Sequence, residues 1–391
     1  MCERNAGDRS PCGAGSKVAL VANPSTSAAA SERRLLEAAR GGDEGAFGRL
    51  LDPYRRELHA HCYRMLGSVH DAEDAVQDAT LRAWRGLARF EERSSLRSWL
   101  YTIATNTCLN AIARRPKRVL PLDYGPATDP HDGLGMPLIE SVWVEPYPDE
   151  SLGLEDGYAA PEARYEQRES VELAFIAALQ HLPATQRAVL ILREVLGFSA
   201  KEVAESLQTT VASVNSALQR ARKTIDERLP ERSQQATLRA LGDDGLRKVV
   251  EAYTDAMQRG DVDAVVALLA QDAAWSMPPL AAWFTGPEVM PRFLRFGPLS
   301  GDWRWRHVPA QASGQAAVGS YCWYEPEQAY APFALDVLTL EGARIKEITS
   351  FITRATESAD PAAYTRFPEL PQDPDRLLAY FGRLGLPARL D

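Results

Sequence analysis

The chain has 391 residues, 45% of them apolar and 25% charged, with a net charge of −9. That length suits two or three domains of about 150 residues, and the globular composition excludes bulk disorder, a collagen-like repeat and a disulfide-built mini-protein. No apolar run approaches the ~20 residues that cross a bilayer, and five cysteines without a CxxC pair point to a reduced, cytoplasmic setting.

The acidic total is unevenly spread. Residues 79–118 carry nine Arg and Lys against two Glu, whereas 119–168 carry eleven acids against two Arg. A basic segment of this kind leaves a nucleic-acid partner open despite the net charge.

Residues 1–31 are rich in Gly, Ser, Ala and Asn, lack an apolar period and are expected to be a disordered tail. The apolar patch Val18–Ala22 is shorter than the roughly 7–15 residues of a secretory leader. From Ser31 onward Leu35, Leu36, Ala39, Phe47, Leu50, Leu51, Tyr54 and Leu58 recur at helical steps, and helical patterning continues to Arg118. Within it, one helix buries Ala72, Val76, Ala79 and Ala83 and shows Asp71, Asp74, Gln77, Asp78 and Leu81; by composition alone that side is a solvated face.

Further on, Ser98, Thr102, Asn106, Asn110 and Arg114 share one helical face, with Leu96, Leu100, Ile103 and Thr107 on another. Asn and Arg match base edges, and the terminal run Arg114–Arg118 matches phosphates. Trp99 suits either stacking on an unpaired base or packing in a core. His59 and His61 are two apart on a helix and so point about 200° away from each other. They do not chelate one ion, and no metal is expected.

Residues 119–165 hold seven prolines and are expected to be an extended, mobile linker. A second helical block follows to Leu229. In it Ser199-Ala-Lys-Glu202 is a capping box, opening a short helix that buries Val203 and Leu207. After a turn at 208–210, Val211, Val214, Leu218, Ala221 and Ile225 fall within an arc of ~80°. Ser213, Asn215, Ser216, Gln219, Arg220 and Lys223 oppose it, the groups that base edges and phosphates require. By itself this is either a DNA-reading helix-turn-helix or an ordinary helical hairpin.

In the last third, Leu246, Val249, Val250, Tyr253 and Met257 mark one helix face, and from Trp275 the pattern turns to alternation, giving strands at 320–324, 333–337 and 345–352. The fold class expected is multidomain: an all-α N-terminal two thirds and an α+β C-terminal domain. Leu377, Leu378, Phe381 and Leu384 form an amphipathic helix that docks back on the protein. His307 is the only His of the C-terminal domain, and Asp272 and Asp336 have no evident partner in sequence, so no catalytic residue and no cofactor is assigned.

These blocks, in this order, resemble the sigma-70 family of bacterial RNA polymerase specificity subunits in its compact extracytoplasmic-function type. The resemblance rests on Asp71–Asp78 with Trp84, Ser94–Asn106, Leu182–Leu190, Ser199–Leu207 and Ser213–Arg222, about half the chain. It implies sigma domain two over 32–118, the linker, and sigma domain four over 166–230. Asp74, Gln77 and Leu81, with Asp71 beside them, would dock on the clamp helices of core RNA polymerase. The loop from Ala88 to Arg97 would capture a flipped base of the −10 element, with Arg97, Trp99, Asn106, Asn110 and Arg114 as the −10 contacts. Ser213, Asn215, Ser216, Gln219, Arg220 and Lys223 would read the −35 element. Many relatives carry Lys and Arg where this chain has Asn215 and Ala217, a departure that alters the base-reading surface.

The 213–222 stretch is similar to the actinobacterial SigG/SigJ-like group, and 245–357 resembles the SnoaL-like domain of that group, a cone of helices on a curved sheet, followed by a tail over 358–391. The resemblance implies core polymerase and promoter DNA as partners, a small-molecule ligand of the C-terminal domain as a further one, and no membrane. It also implies control of activity in cis by the fused domain. The acidic linker around 140–150 is expected in a basic channel of the polymerase. Two alternatives stay open: a ligand-responsive helix-turn-helix regulator that binds duplex DNA without polymerase, and a pocket enzyme using Asp272 or Asp336.

Overall fold

A computed structural model describes residues 24–132, 134, 135, 138, 142–152, 166–353 and 379–391. The chain divides into two units, Met1–Pro53 and Tyr54–Asp391. In the first, helix α1 (Pro24–Arg40) and the start of α2 (Glu44–Leu66) bury Leu36, Ala39, Phe47, Leu50 and Leu51. The reversal between them uses Gly42 at φ 96°, and Asp43 caps α2 by accepting the Ala46 N–H at 2.9 Å. Helix α1 begins inside the stretch 1–31 expected to be disordered, because proline suits a first helical position and the alanines at 28–30 favour the helix.

The second unit holds the rest of α2 with α3 (Val69–Gly86) and α4 (Leu96–Ile112). Ser68 and Ser95 cap α3 and α4 through the N–H groups of Asp71 and Ser98. A short helix α5 (Pro121–Tyr124) leads into 142–152. Four helices follow: α6 (Leu173–Gln180), α7 (Ala184–Leu190) with its π-helical continuation Ile191–Val195, α8 (Ala200–Ser206) and α9 (Val211–Asp226).

Helix α10 (Gln234–Arg259), bent at Gly242, and α11 (Val262–Leu268) then pack on a six-stranded sheet, with α12 (Val289–Phe296) between strands β2 and β3. The strands are β1 (Leu269–Ser276), β2 (Trp283–Thr285), β3 (Trp305–Ala312), β4 (Gln315–Tyr324), β5 (Ala329–Glu341) and β6 (Arg344–Ile352). Their order is β2-β1-β6-β5-β4-β3, and only β1 and β6 run parallel. Alternation turns Val318, Leu338 and Ile348 toward Val249, Tyr253 and Met257 of α10, forming the cone core.

Over its described residues the linker is not a free spacer; it is stitched into the fold. Val119 and Trp143 form a parallel bridge, and Trp143, Val144 and Tyr147 are buried. The Tyr63 hydroxyl donates to the Glu145 carbonyl at 2.7 Å, and Glu145 N donates to the Gly67 carbonyl at 2.9 Å. On its other side the segment meets the sheet domain, with Tyr147 N donating to Ser313 Oγ at 2.9 Å, Ser313 N returning to the Tyr147 carbonyl at 2.7 Å, and Trp143 Nε1 reaching the Pro279 carbonyl at 3.1 Å. In this chain these residues are therefore occupied by contacts within the fold.

The C-terminal segment also has a fixed seat. Phe381 is buried edge-on against Tyr321, whose hydroxyl donates to the Pro387 carbonyl at 2.8 Å, and Tyr330 and Leu390 exchange backbone hydrogen bonds. A Cβ at Gly319 would lie 2.7 Å from the end of the Leu386 side chain, so the absence of a side chain there leaves room for that leucine on β4. Leu377 and Leu378 lie outside the described residues.

Candidate nucleic-acid and partner interfaces

The helix-turn-helix is built from local signals. Ser199 Oγ accepts the Glu202 N–H at 3.2 Å while Glu202 accepts the Ser199 N–H at 2.8 Å, which closes the capping box of α8. The chain turns through Gln208 at φ 52°, and Thr210 caps α9 by accepting the Ser213 N–H at 3.1 Å. Val214, Leu218, Ala221 and Ile225 anchor α9 as expected, together with Ala217. Ser213, Asn215, Ser216, Gln219, Arg220 and Lys223 are all exposed on its outer side. Val211 departs from expectation: placed on the buried arc by periodicity, it is 43% exposed. At the first helical position it lies beyond the core that receives the rest of that arc.

On α4 Asn106 and Asn110 are exposed, as is Arg114 just past its end, but Ser98 is buried, and Thr102 bonds back to the Ser98 carbonyl at 2.9 Å. Trp99 is half-buried and stacks on Phe90, centroids 4.8 Å apart. Arg97 is half-buried as well. It pairs with Glu57 at 3.2 Å, and its guanidinium lies 4.9 Å from the Tyr101 ring centroid and 4.8 Å from that of Phe198. Phe198 comes from the second helical block, so the start of the candidate −10 helix is covered by the candidate −35 domain.

The α3 face divides. Asp74 and Gln77 are exposed and Leu81 is 47% exposed, beside a cleft of about 700 Å³ whose walls include Arg56, His59 and Arg383. Asp71 is different: it is buried and paired with Arg118 at 2.6 Å and with Arg115, so it is not part of the exposed face. Burial would otherwise make that carboxylate costly, and the two cations compensate it.

Other groups that periodicity did not mark join these surfaces to the rest of the chain. Arg64, buried under the second block, donates to Ser170 Oγ at 2.7 Å, and Arg187 donates to the carbonyls of Met65 and Gln180. Glu172 accepts the N–H groups of Gln234 and Gln235 at 3.1 and 2.8 Å, capping α10, and burial pushes its carboxyl up to about 7. Asp149 accepts the Gly314 N–H at 2.8 Å and is pushed up to about 6 by burial. Arg383, from the C-terminal segment, pairs with Glu73 of α3 at 2.6 Å.

His59 and His61 bond to different groups, His59 Nδ1 to the Tyr147 hydroxyl at 2.8 Å and His61 Nε2 to Thr105 Oγ1 at 2.9 Å. Among the described residues no group of three or more His, Cys, Asp or Glu is placed to hold a metal ion. No described helix is long and apolar enough to cross a membrane. In the cone, Asp336 is buried and accepts from Tyr253 and Ser320 at 3.1 and 2.8 Å, while Asp272, exposed, pairs with Lys346. His307 is buried, neither ring nitrogen has a hydrogen-bond partner among the described residues, and burial lowers its pKa to about 3.

Comparison with known proteins agrees with this layout. The chain matches the family models Sigma-70 region 2 at residues 50–118, Sigma-70, region 4 at 172–225 and SnoaL-like domain at 250–348. It is 39% identical over 337 residues to the ECF RNA polymerase sigma factor SigG of Mycobacterium tuberculosis, covering 86% of each chain. It is 27% identical over 199 residues to the ECF RNA polymerase sigma factor SigW of Bacillus subtilis, covering 50% of this chain and 96% of that one. Among solved structures it is similar to the Mycobacterium tuberculosis extracytoplasmic function sigma factor SigJ, with a TM-score of 0.48 and 24% identity over 78% of this chain and 96% of the other. The order of the two sigma-70 regions and the identity over most of both chains make this protein a member of the extracytoplasmic-function family of RNA polymerase sigma factors, with a SnoaL-like domain at its C-terminal side.

Proposed function

We propose that this sigma factor rests in a closed form and that binding core RNA polymerase opens it. In this reading Asp74, Gln77 and Leu81 seat α3 on the polymerase in the cytoplasm. Asn106, Asn110 and Arg114 contact the −10 element, with Arg97 and Trp99 at the leading end of α4. Ser213, Asn215, Ser216, Gln219, Arg220 and Lys223 contact the −35 element. Asp71 is left out of the docking set because Arg118 and Arg115 hold it inside the protein.

The observation that carries the proposal is the packing of α4 against α7 and α8, the helices on which α9 itself lies. Packed helix axes are about 8–10 Å apart, so with one helix between them α4 and α9 are separated by about 20 Å. Elements centred near −35 and −10 are about 25 base pairs apart, or about 85 Å of duplex at 3.4 Å per pair. The closed form does not span that distance.

The linker and the sheet domain supply the restraint, through Tyr147–Ser313, Asp149–Gly314 and Glu172–α10. The C-terminal cone is a regulatory body in this reading and not a centre of turnover: Asp336 is committed to Tyr253 and Ser320, and His307, held neutral by burial, bonds to no acid among the described residues.

Single-round transcription with purified core polymerase, comparing the full chain with one ending at Pro230, tests both parts. Promoter-specific transcript from both, more from the shortened chain, is expected. Absence from both would overturn the promoter-directing role, and a yield from the full chain equal to or above that of the shortened one would overturn the restraint.

A further inference from the structure

Val211, Asn215 and Gln219 are four apart on α9, so they form one row along its exposed side within an arc of ~80°. None is charged. Arg222, also exposed within that arc, is engaged by Glu194, Lys223 continues the row one turn beyond Gln219, and Arg220 lies farther round, on the flank where Ser216 also lies.

Each member of the row has a chemical preference. An Asn or Gln amide presents one donor and one acceptor side by side, which match the N7 acceptor and N6 donor of adenine. Guanine offers two acceptors, O6 and N7, and calls for the two-donor fork of Arg. Val211 is an aliphatic side chain left 43% exposed at the first position after the Thr210 cap, the end of a recognition helix that reaches base edges. Only one base in the major groove offers a methyl group to cover it, and that base is thymine.

We infer that α9 specifies A·T pairs within the −35 element, with Val211 against a thymine methyl and Asn215 and Gln219 on adenines. This rests on the −35 role of α9 given above. It gives a role to Asn215, an uncharged amide on the exposed side of α9. It also disposes of Ala217, which is buried and faces no DNA.

The test uses holoenzyme assembled from the full chain and core polymerase, selecting promoter DNA from a library randomised across the −35 and −10 windows. A·T pairs should be enriched at adjacent −35 positions, and Asn215→Arg should turn one of them toward G·C. Replacing the −35 thymines one at a time by deoxyuridine, which lacks the methyl, should lower retention about four-fold at one position, the size expected for one buried methyl group. Val211→Ala should abolish that loss, and alanine's helix propensity keeps the variant folded. Wild-type enrichment of G·C at the pairs that respond to Asn215→Arg, or indifference to deoxyuridine throughout, would overturn the inference and leave the −35 role of α9 standing. Selection in the −10 window without any in the −35 window, or selection in neither, would remove that role and the inference with it.

Discussion

Asp71 and Asp74 lie within one turn of α3 and have opposite fates. Asp71 is spent on buried Arg118, which also donates to the Trp143 carbonyl at 2.6 Å, so it fixes the end of α4 and the linker to α3. Removing one partner of a buried ion pair costs about 3–5 kcal/mol because the other charge is left uncompensated. Denaturant titration of Asp71→Ala should show a loss of that order, and an unchanged midpoint would contradict the assignment. Asp74→Ala, at an exposed position, should change stability by less than about 0.5 kcal/mol but weaken binding to core polymerase in a titration with labelled chain. Helical period alone does not separate the two, because it tells which way a side chain points from its own helix and not that Arg118 closes over it. Val211 shows the converse limit: its angle matches the buried arc, yet at the helix end there is no core to receive it.

At the scale of elements, two buried carboxyls hold the sigma portion to the sheet domain. Glu172 and Asp149 have their pKa values raised to about 7 and 6, from 4.5 and 3.8, chiefly by burial. A carboxyl whose folded pKa is raised favours the folded form most when protonated, so its contribution is fully present below the unfolded value and is lost as pH rises through the folded one. These junctions should therefore weaken between about pH 4 and pH 7. His61 and His307, both lowered to about 3 by burial, act with the opposite sign as pH falls below about 6.5. Comparing wild type with Glu172→Gln isolates one carboxyl: the denaturation midpoint difference between pH 5 and pH 8 should shift toward greater stability at high pH in the variant. A constant difference across that range would count against the raised pKa. In the linker, Tyr147 packs on Tyr63 with centroids 4.5 Å apart and bonds to His59. Tyr147→Ala should cost about 3–5 kcal/mol of closed-state stability. It should also expose 119–152 to limited proteolysis and tighten polymerase binding, and protease resistance equal to wild type would show that the linker is held elsewhere.

For the whole molecule, the helical blocks, the capping boxes and the switch to strands were legible because each is written in local period and cap chemistry. The exposed polar face of α9 was legible for the same reason. The closed arrangement was not. It depends on Trp143, Val144 and Tyr147, apolar residues too sparse among prolines and acids to show a period, and on Arg64, Arg187 and Glu172, polar residues that composition assigns to solvent. The acidic total of the chain has a physical meaning, since several of the linker acids are partners within the fold. Glu145 caps α3 by accepting the Val69 N–H at 2.9 Å, Asp149 accepts from Gly314, and Asp123 pairs with Arg228 at 3.6 Å. Closure and opening are thus properties of contacts between distant segments, and they are measurable as one distance. With Cys2 and Cys12 replaced by Ser and fluorophores placed at Arg85→Cys and Lys201→Cys, both exposed positions, energy transfer should be high in the chain alone and fall on addition of core polymerase and promoter DNA. Transfer that stays high in a complex shown to initiate transcription would contradict the closed resting form and its opening.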